Sequence, residues 1–390
     1  YKEPMSKVDT AWLRMEQPNN LMMITGVIGL DEAMDYERLL ETVERRFLVF
    51  DRFRQKVVDT AAGASWELDE DFDLRTHVRR IALPGAADEA ELRILVAALA
   101  SSPLKPSRPL WQFDVIENYV SGPVVVVRIH HCIADGIALV QVFLSLTDSG
   151  PEPRPSSRDP QAWKERRSGE SAVFQRLLEP AKEGFDAAVH YGQKLFEEGL
   201  GLLQNPSRAG HSANEAGEIA GELAHALTLS NDPRTCLKGT LGVRKEVAWA
   251  EPLDLEEVKS VGRAFGCTVN DVLIASASGA LRRYLLNSDN PCDVDQDIRA
   301  TVPVNLRPLE HAIELGNHFG LVFLDLPISL ENPLQRLYVV NDRMTALKNS
   351  KQAAVTFGFL AALGMGPSML QKPVLDLLSE KASAVLTNVP

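Results

Sequence analysis

The chain is 390 residues long with 45% apolar and 24% charged residues, enough for about two hydrophobic cores and too apolar for a disordered protein. A formal net charge of −12 argues against an extended basic face, so no nucleic-acid partner is expected. Cys132, Cys236, Cys267 and Cys292 are scattered without a Cys-x-x-Cys pair, which suggests neither a zinc site nor a disulfide framework and fits a reducing, cytoplasmic setting.

Residues 1–10 lack the charged-then-apolar order of a secretory leader. The longest apolar stretch, 353–365, is broken by Gly358 and Gly364 and falls short of the roughly 20 residues of a spanning helix. Any membrane or lipid-inclusion contact is therefore expected to be peripheral.

Residues 8–16 read as a helix with Asp9 or Thr10 at its N-cap, Trp12 and Met15 on its apolar face and Glu16 at its end. A strand at 22–30 and an amphipathic helix at 36–47, with Leu39, Leu40 and Val43 inward, follow. Short extended pieces are expected at 66–68 and 72–74, and an acid-opened helix at 88–99. Pro109 enters a strand at 108–116 that is expected to hairpin with the next one.

That next strand is the β-branched run Val124-Val125-Val126-Val127-Arg128-Ile129, ending on His130-His131 and turning at Asp135-Gly136 into a helix at 137–146. Successive strand side chains point to opposite faces, so one histidine works while the other supports, and parity does not say which. A histidine near neutral pKa can take a proton from a hydroxyl and return it to a leaving group. Metal binding by His130, His131 and Asp135 fits poorly with that opposed parity, and no metal or cofactor is expected.

From 148 to about 232 the composition shifts, with Pro151, Pro153, Pro155 and Pro160 ahead of a helical run at 172–203, which reads as a connector. A second α/β unit then opens with a short strand at 247–250 and a helix at 253–264. A longer helix runs to Leu286, with Thr268 and Asn270 as its N-cap candidates. Strands at 298–305 and 320–327 and a helix at 333–348, begun by Pro333, complete it. The chain thus divides into 1–147, a helical connector at 148–234, and 235–390.

His130-His131-Cys132-Ile133-Ala134-Asp135-Gly136 resembles the His-His-x-x-x-Asp-Gly signature of acyltransferases related to chloramphenicol acetyltransferase and to peptide-synthetase condensation domains. Pro109-Leu110-Trp111, Asn270-Asp271-Val272, Pro303-Val304-Asn305-Leu306-Arg307, Gly316-Asn317 and Thr387-Asn388-Val389-Pro390 follow the order of bacterial wax ester synthase/diacylglycerol acyltransferases. The resemblance runs from about Val8 to Pro390 and is weakest in the connector. It implies an α/β fold of two chloramphenicol-acetyltransferase-like domains, with mixed sheets flanked by helices and an active-site tunnel between them.

The resemblance further implies that His131 is the general base and His130 its structural neighbour. Asn270 would face His131 as a donor to the oxyanion or the alcohol, although a helix cap is its ordinary reading. Asp135, with Gly136, would hold the turn through an ion pair to Arg307, since a lone buried carboxylate is costly. Glu16, Pro109, Leu110 and Trp111 would shape the substrate pocket. Residues 353–370 would line an acyl tunnel or form a plain core helix, and Arg244 and Lys245 are coenzyme-phosphate candidates or a solvated pair.

Two features depart from the family pattern. Asn305 stands where a small residue is common, and family chains normally continue beyond the Asn-Val-Pro element. The expected activity joins fatty acyl-CoA, as co-substrate, to a long-chain alcohol or diacylglycerol by direct transfer. The alternatives are an acyl-CoA- or lipid-binding protein of the same fold with little turnover, and an acyltransferase fed by a carrier-protein thioester.

Overall fold

The computed structural model describes residues 2–60, 63–148, 229–288, 294–306, 315–348, 350, 352–365, 376 and 379–388. Nearly all of the expected connector, including its helical run, lies outside them, as do Cys292 and Arg307.

The first half opens with β1 (Lys2–Pro4) and α1 (Lys7–Met15). Ser6 caps α1 by accepting the Asp9 N–H at 3.0 Å, so Asp9 lies in the first turn rather than at the cap. Strand β2 (Met23–Gly29) and helix α2 (Tyr36–Thr42) follow, the helix running on through a wider turn at Val43–Phe47. Strands β3 (Gln55–Thr60) and β4 (Gly63–Leu68) join β1 in a sheet of order β1-β4-β3. The piece expected to be extended at 72–74 instead leads into a short helix, α3 (Leu74–His77), because Asp73 accepts the Arg75 N–H at 3.0 Å and caps it.

Strand β5 (Val78–Ile81), helix α4 (Glu89–Ala100), strands β6 (Trp111–Ile116) and β7 (Val124–His130) and helix α5 (Gly136–Leu146) complete this half. Their sheet has the order β2-β7-β6-β5, with β7 antiparallel to both neighbours. An interior strand covered on both faces needs no polar alternation, which is why the valine run is continuous and all of β7 is buried. Val125, Val127 and Ile129 enter the main core with Phe47, Phe53 and Trp111, while Val124 and Val126 meet Leu92, Val96 and Leu99 of α4. Arg128 donates to the Leu99 and Ser102 carbonyls at 3.1 Å each, closing the end of α4, and reaches Asp114 at 3.4 Å.

The strand expected at 247–250 is an irregular strap across the first half. The Trp249 carbonyl accepts from Arg93 of that half at 3.2 Å, and just before the segment the Lys245 N–H donates to Ser101 Oγ at 2.7 Å. Lys245 Nζ is held by the Asn19 carbonyl at 2.6 Å. Arg244, by contrast, stays in solvent beside Glu246.

Helices α6 (Leu255–Phe265) and α7 (Val269–Asn287), strands β8 (Ile298–Asn305) and β9 (Phe319–Leu326), helices α8 (Pro333–Lys348) and α9 (Gln352–Met365), and strand β10 (Ala384–Val385) form the second half. Its sheet has the order β10-β8-β9, which leaves β9 at an edge. Helix α9 blocks that edge: Thr356 Oγ1 accepts the Leu321 N–H at 2.8 Å and Gln352 Oε1 accepts the Phe323 N–H at 2.7 Å. Gly320 permits the approach, since a Cβ there would lie 1.8 Å from the Ala353 carbonyl oxygen. Phe357 and Leu360 of α9 pack on Val8, Ala11 and Met15 of α1, so on its described side chains this apolar stretch is a core helix tying the halves together.

Candidate active site

Strand β7 delivers both histidines to the joint between the halves. The His130 N–H donates to the Leu110 carbonyl at 3.0 Å and the His131 N–H to the Met22 carbonyl at 2.7 Å. The chain turns at once, with the Ile133 N–H returning to the His130 carbonyl at 3.0 Å. The two imidazoles consequently enter different surroundings.

His130 is 2% exposed, and its Nδ1 accepts the Cys132 N–H at 3.0 Å, which puts the ring proton of the neutral form on Nε2. That nitrogen lies 3.0 Å from Glu16 Oε2, an electrostatic contact not aligned as a hydrogen bond. Glu16 also accepts the Met22 N–H at 3.2 Å. Its place is thus beside His130, tying the end of α1 to the approach of β2.

His131 is only partly buried, and its ring stacks on Trp12 with centroids 4.8 Å apart and 23° between planes. Phe319 lies 6.2 Å away on the edge of the second-half sheet. Desolvation first, then the neighbouring His130, pushes the His131 pKa down to about 4, against the smaller pull of Asn317 and Asp135. The ring is therefore neutral at pH 7 and able to accept a proton.

Asp135 is 3% exposed and caps α5: Oδ1 accepts the Ala138 N–H at 2.9 Å. Its Oδ2 accepts the His318 N–H at 3.0 Å, and its own N–H donates to the Gly316 carbonyl at 3.3 Å. Gly136 is the first residue of α5. Gly316 has φ +115°, a conformation that suits glycine, and pairs with Ala134 in an isolated bridge. The Arg307 expected to pair with Asp135 lies outside the described residues.

Asn317, given no role by sequence, is 3% exposed and central to the joint. Its N–H and Nδ2 donate to Asp9 Oδ1 at 3.0 and 2.7 Å, and Nδ2 also donates to the His131 carbonyl at 2.6 Å. Burial pushes the Asp9 carboxyl pKa up, while hydrogen bonds from Ser6 and Asn317 hold it back. Asp9 was missed as a site residue because an acidic residue opening a helix reads as a cap. The signal was Ser6, three residues earlier, which already supplies one.

Asn270 is exposed at the second position of α7, whose cap is Thr268, and its Oδ1 accepts from Asn388 Nδ2 at 2.6 Å. No described contact joins it to His131. Pro109, Leu110 and Trp111 are buried, and Trp111 is 1% exposed with its Nε1–H donating to the Phe53 carbonyl at 2.8 Å. Trp111 thus packs in the main core. The core face of β6 takes alternate residues, and Trp111 shares that face with Phe113.

Residues 5–273 match the model of the wax ester synthase/diacylglycerol acyltransferase catalytic domain, and residues 315–390 that of the C-terminal domain of the same enzymes. Two relatives from Mycobacterium tuberculosis, assigned by name as diacylglycerol O-acyltransferases, are each 28% identical. One aligns over 100% of this chain and 76% of its own length, the other over 99% and 81%. The solved wax ester synthase/diacylglycerol acyltransferase from Marinobacter aquaeolei superposes with a TM-score of 0.60 at 20% identity, covering 99% of this chain and 81% of that one. The first condensation domain of the calcium-dependent antibiotic synthetase gives 0.54 at 13% identity, over 99% and 80%. The expected two-domain α/β architecture with mixed sheets and flanking helices holds.

Proposed function

The chain belongs to the wax ester synthase/diacylglycerol acyltransferase family, and from that premise we propose that it esterifies a long-chain alcohol or diacylglycerol with a fatty acyl group from coenzyme A, using His131 as general base. It is an O-acyltransferase, with an acyl donor and an acyl acceptor as substrates. The identity of each substrate and the mechanism are the proposal.

One observation supports His131 over His130 most directly. His131 as a residue is partly exposed at the joint, with its ring stacked on Trp12, whereas His130 is 2% exposed and engaged by Cys132 and Glu16. In the proposed step neutral His131 removes the acceptor's hydroxyl proton as the oxygen attacks the thioester carbonyl. The carbon–sulfur bond then breaks, and the imidazolium returns the proton to the departing thiolate. A base with a pKa near 4 is weak, so transfer concerted with attack fits this residue better than a free alkoxide.

No covalent enzyme intermediate and no cofactor beyond the acyl-CoA co-substrate enter this scheme. Asn270 accepts from Asn388 through Oδ1, which leaves its N–H groups available to a substrate, and we assign it to orienting the acceptor. No single helix among the described residues is long and apolar enough to cross a membrane. A cytoplasmic enzyme meeting its lipid substrates at a membrane or lipid-inclusion surface is part of the proposal.

The test is ester formation from labelled acyl-CoA with a panel of alcohols and diacylglycerols. His131→Ala is expected to lose about 10²–10⁴ in kcat while keeping its circular dichroism and melting transition. Near-normal turnover would remove His131 from the chemistry.

A further inference from the structure

The Asn317 amide has a single workable orientation. Its Nδ2 faces two acceptors, Asp9 Oδ1 at 2.7 Å and the His131 carbonyl at 2.6 Å, and exchanging N and O would set oxygen against both. Asn317 Oδ1 therefore points elsewhere, and it is buried with no hydrogen-bond partner among the described residues. His131 Nδ1 is in the same condition. Two buried polar atoms thus lack partners on side chains already joined through the His131 carbonyl, and buried groups of this kind are normally paired.

We propose that Asn317 is a positioning residue: its Oδ1 accepts the Nδ1 proton of His131, which leaves Nε2 as the basic nitrogen presented to substrate. This rests on His131 being the base. In the other tautomer the Nδ1 lone pair would face an oxygen and the proton would occupy the nitrogen that must take one. The Asn317 side chain also favours the charged ring. Asp9 holds the amide from behind, and Trp12, three residues further along α1, stacks on the same ring. One helix face therefore fixes both the plane of the imidazole and its rotation within that plane.

The charged and titratable groups around His131 are His130 and Asp135 on its own loop, Asp9 and Glu16 on α1, and His318 beside Asn317. Arg52 acts on the Asp9 and Cys132 side of the joint.

The full chain labelled with ¹⁵N in its imidazoles reads the tautomer directly through long-range proton–nitrogen correlations near neutral pH, His131 being assigned by its loss in His131→Gln. A protonated Nδ1 and a bare Nε2 are expected in the wild type. In Asn317→Ala the tautomers should mix, kcat should fall about 10- to 100-fold at little-changed KM, as for other partners that orient a working imidazole, and the acid limb of kcat/KM should move to lower pH. A protonated Nε2 in the wild type would overturn the proposal, and so would an Asn317→Ala enzyme with unchanged tautomer and acid limb. The wild-type spectrum decides even if Asn317→Ala does not fold. Failure of the base reading would appear separately, as retained turnover in His131→Ala with the tautomer intact.

Discussion

Two helix N-termini in this molecule use the same polar chemistry and reach different ends. At α5, Asp135 caps the first turn and sends its second oxygen to His318 in the other half. At α7, Thr268 caps and Asp271 answers it in a reciprocal box, with Asn341 donating to Asp271 at 2.9 Å. The first corner is buried at Asp135, Asn317 and His130, which are 3%, 3% and 2% exposed. The second shows Thr268 and Asn270 to solvent above a buried Asp271. Water can replace a lost partner at the surface but not inside, so the same capping chemistry makes a joint in one place and a local stitch in the other.

Asp135→Ala attacks the stronger side of that contrast. It strips the acceptor from the Ala138 and His318 N–H groups, and losing partners for two such groups should cost roughly 2–4 kcal/mol in urea unfolding. A loss below about 1 kcal/mol would mean that the joint draws its strength elsewhere.

The pH dependence of stability probes the same corner more gently. Burial holds His131 at about 4 in the folded chain, against 6.5 ordinarily. Above the higher value neither state is protonated there. As pH falls through this window the unfolded chain binds a proton that the folded chain refuses, and stability is lost. Asp9, whose pKa is raised, works in the opposite sense, so the comparison must be with His131→Gln. Lowering the pH from about 7 to about 5 should destabilise the wild type by about 2 kcal/mol more than that variant. Parallel losses in the two proteins would show that His131 is not desolvated.

The smallest effect is expected at the exposed corner. Asn270→Ala should cost less than about 0.5 kcal/mol in stability and leave kcat within about tenfold, because its partner Asn388 and the solvent share the same surface. A fall of about 10²–10³ would instead give Asn270 the weight of an oxyanion donor and erase the contrast.

Local signals were legible from the residues. The strand at 298–305 and the helix at 333–348 have the bounds read from sequence, since β-branched residues and a proline at the first helical position act where they stand. The hairpin of β6 and β7 was legible for the same reason, whereas the sequence left the cap of α7 to Thr268 or Asn270 and the structure uses Thr268. The segment at 247–250 was not legible, because the Trp249 carbonyl and the N–H of Lys245 just before it bond to side chains more than a hundred residues away. The burial of Trp111 in the core was not legible either, because a motif names residues without saying which face of a strand they occupy.

The paired histidines mark the boundary between the two kinds of information. By itself the sequence determined that a buried strand ends on His130-His131, that a turn and a capped helix follow, and that opposed parity leaves one of them to work. Tertiary structure decided the surroundings of each: Glu16 and Cys132 around His130, Trp12 and Asn317 around His131, and Asp9 behind Asn317. Parity and capping are set by neighbours in the chain. Exposure, stacking and the pairing of Asp9 with Asn317, 308 residues apart, exist only once α1, β7 and β9 have packed together.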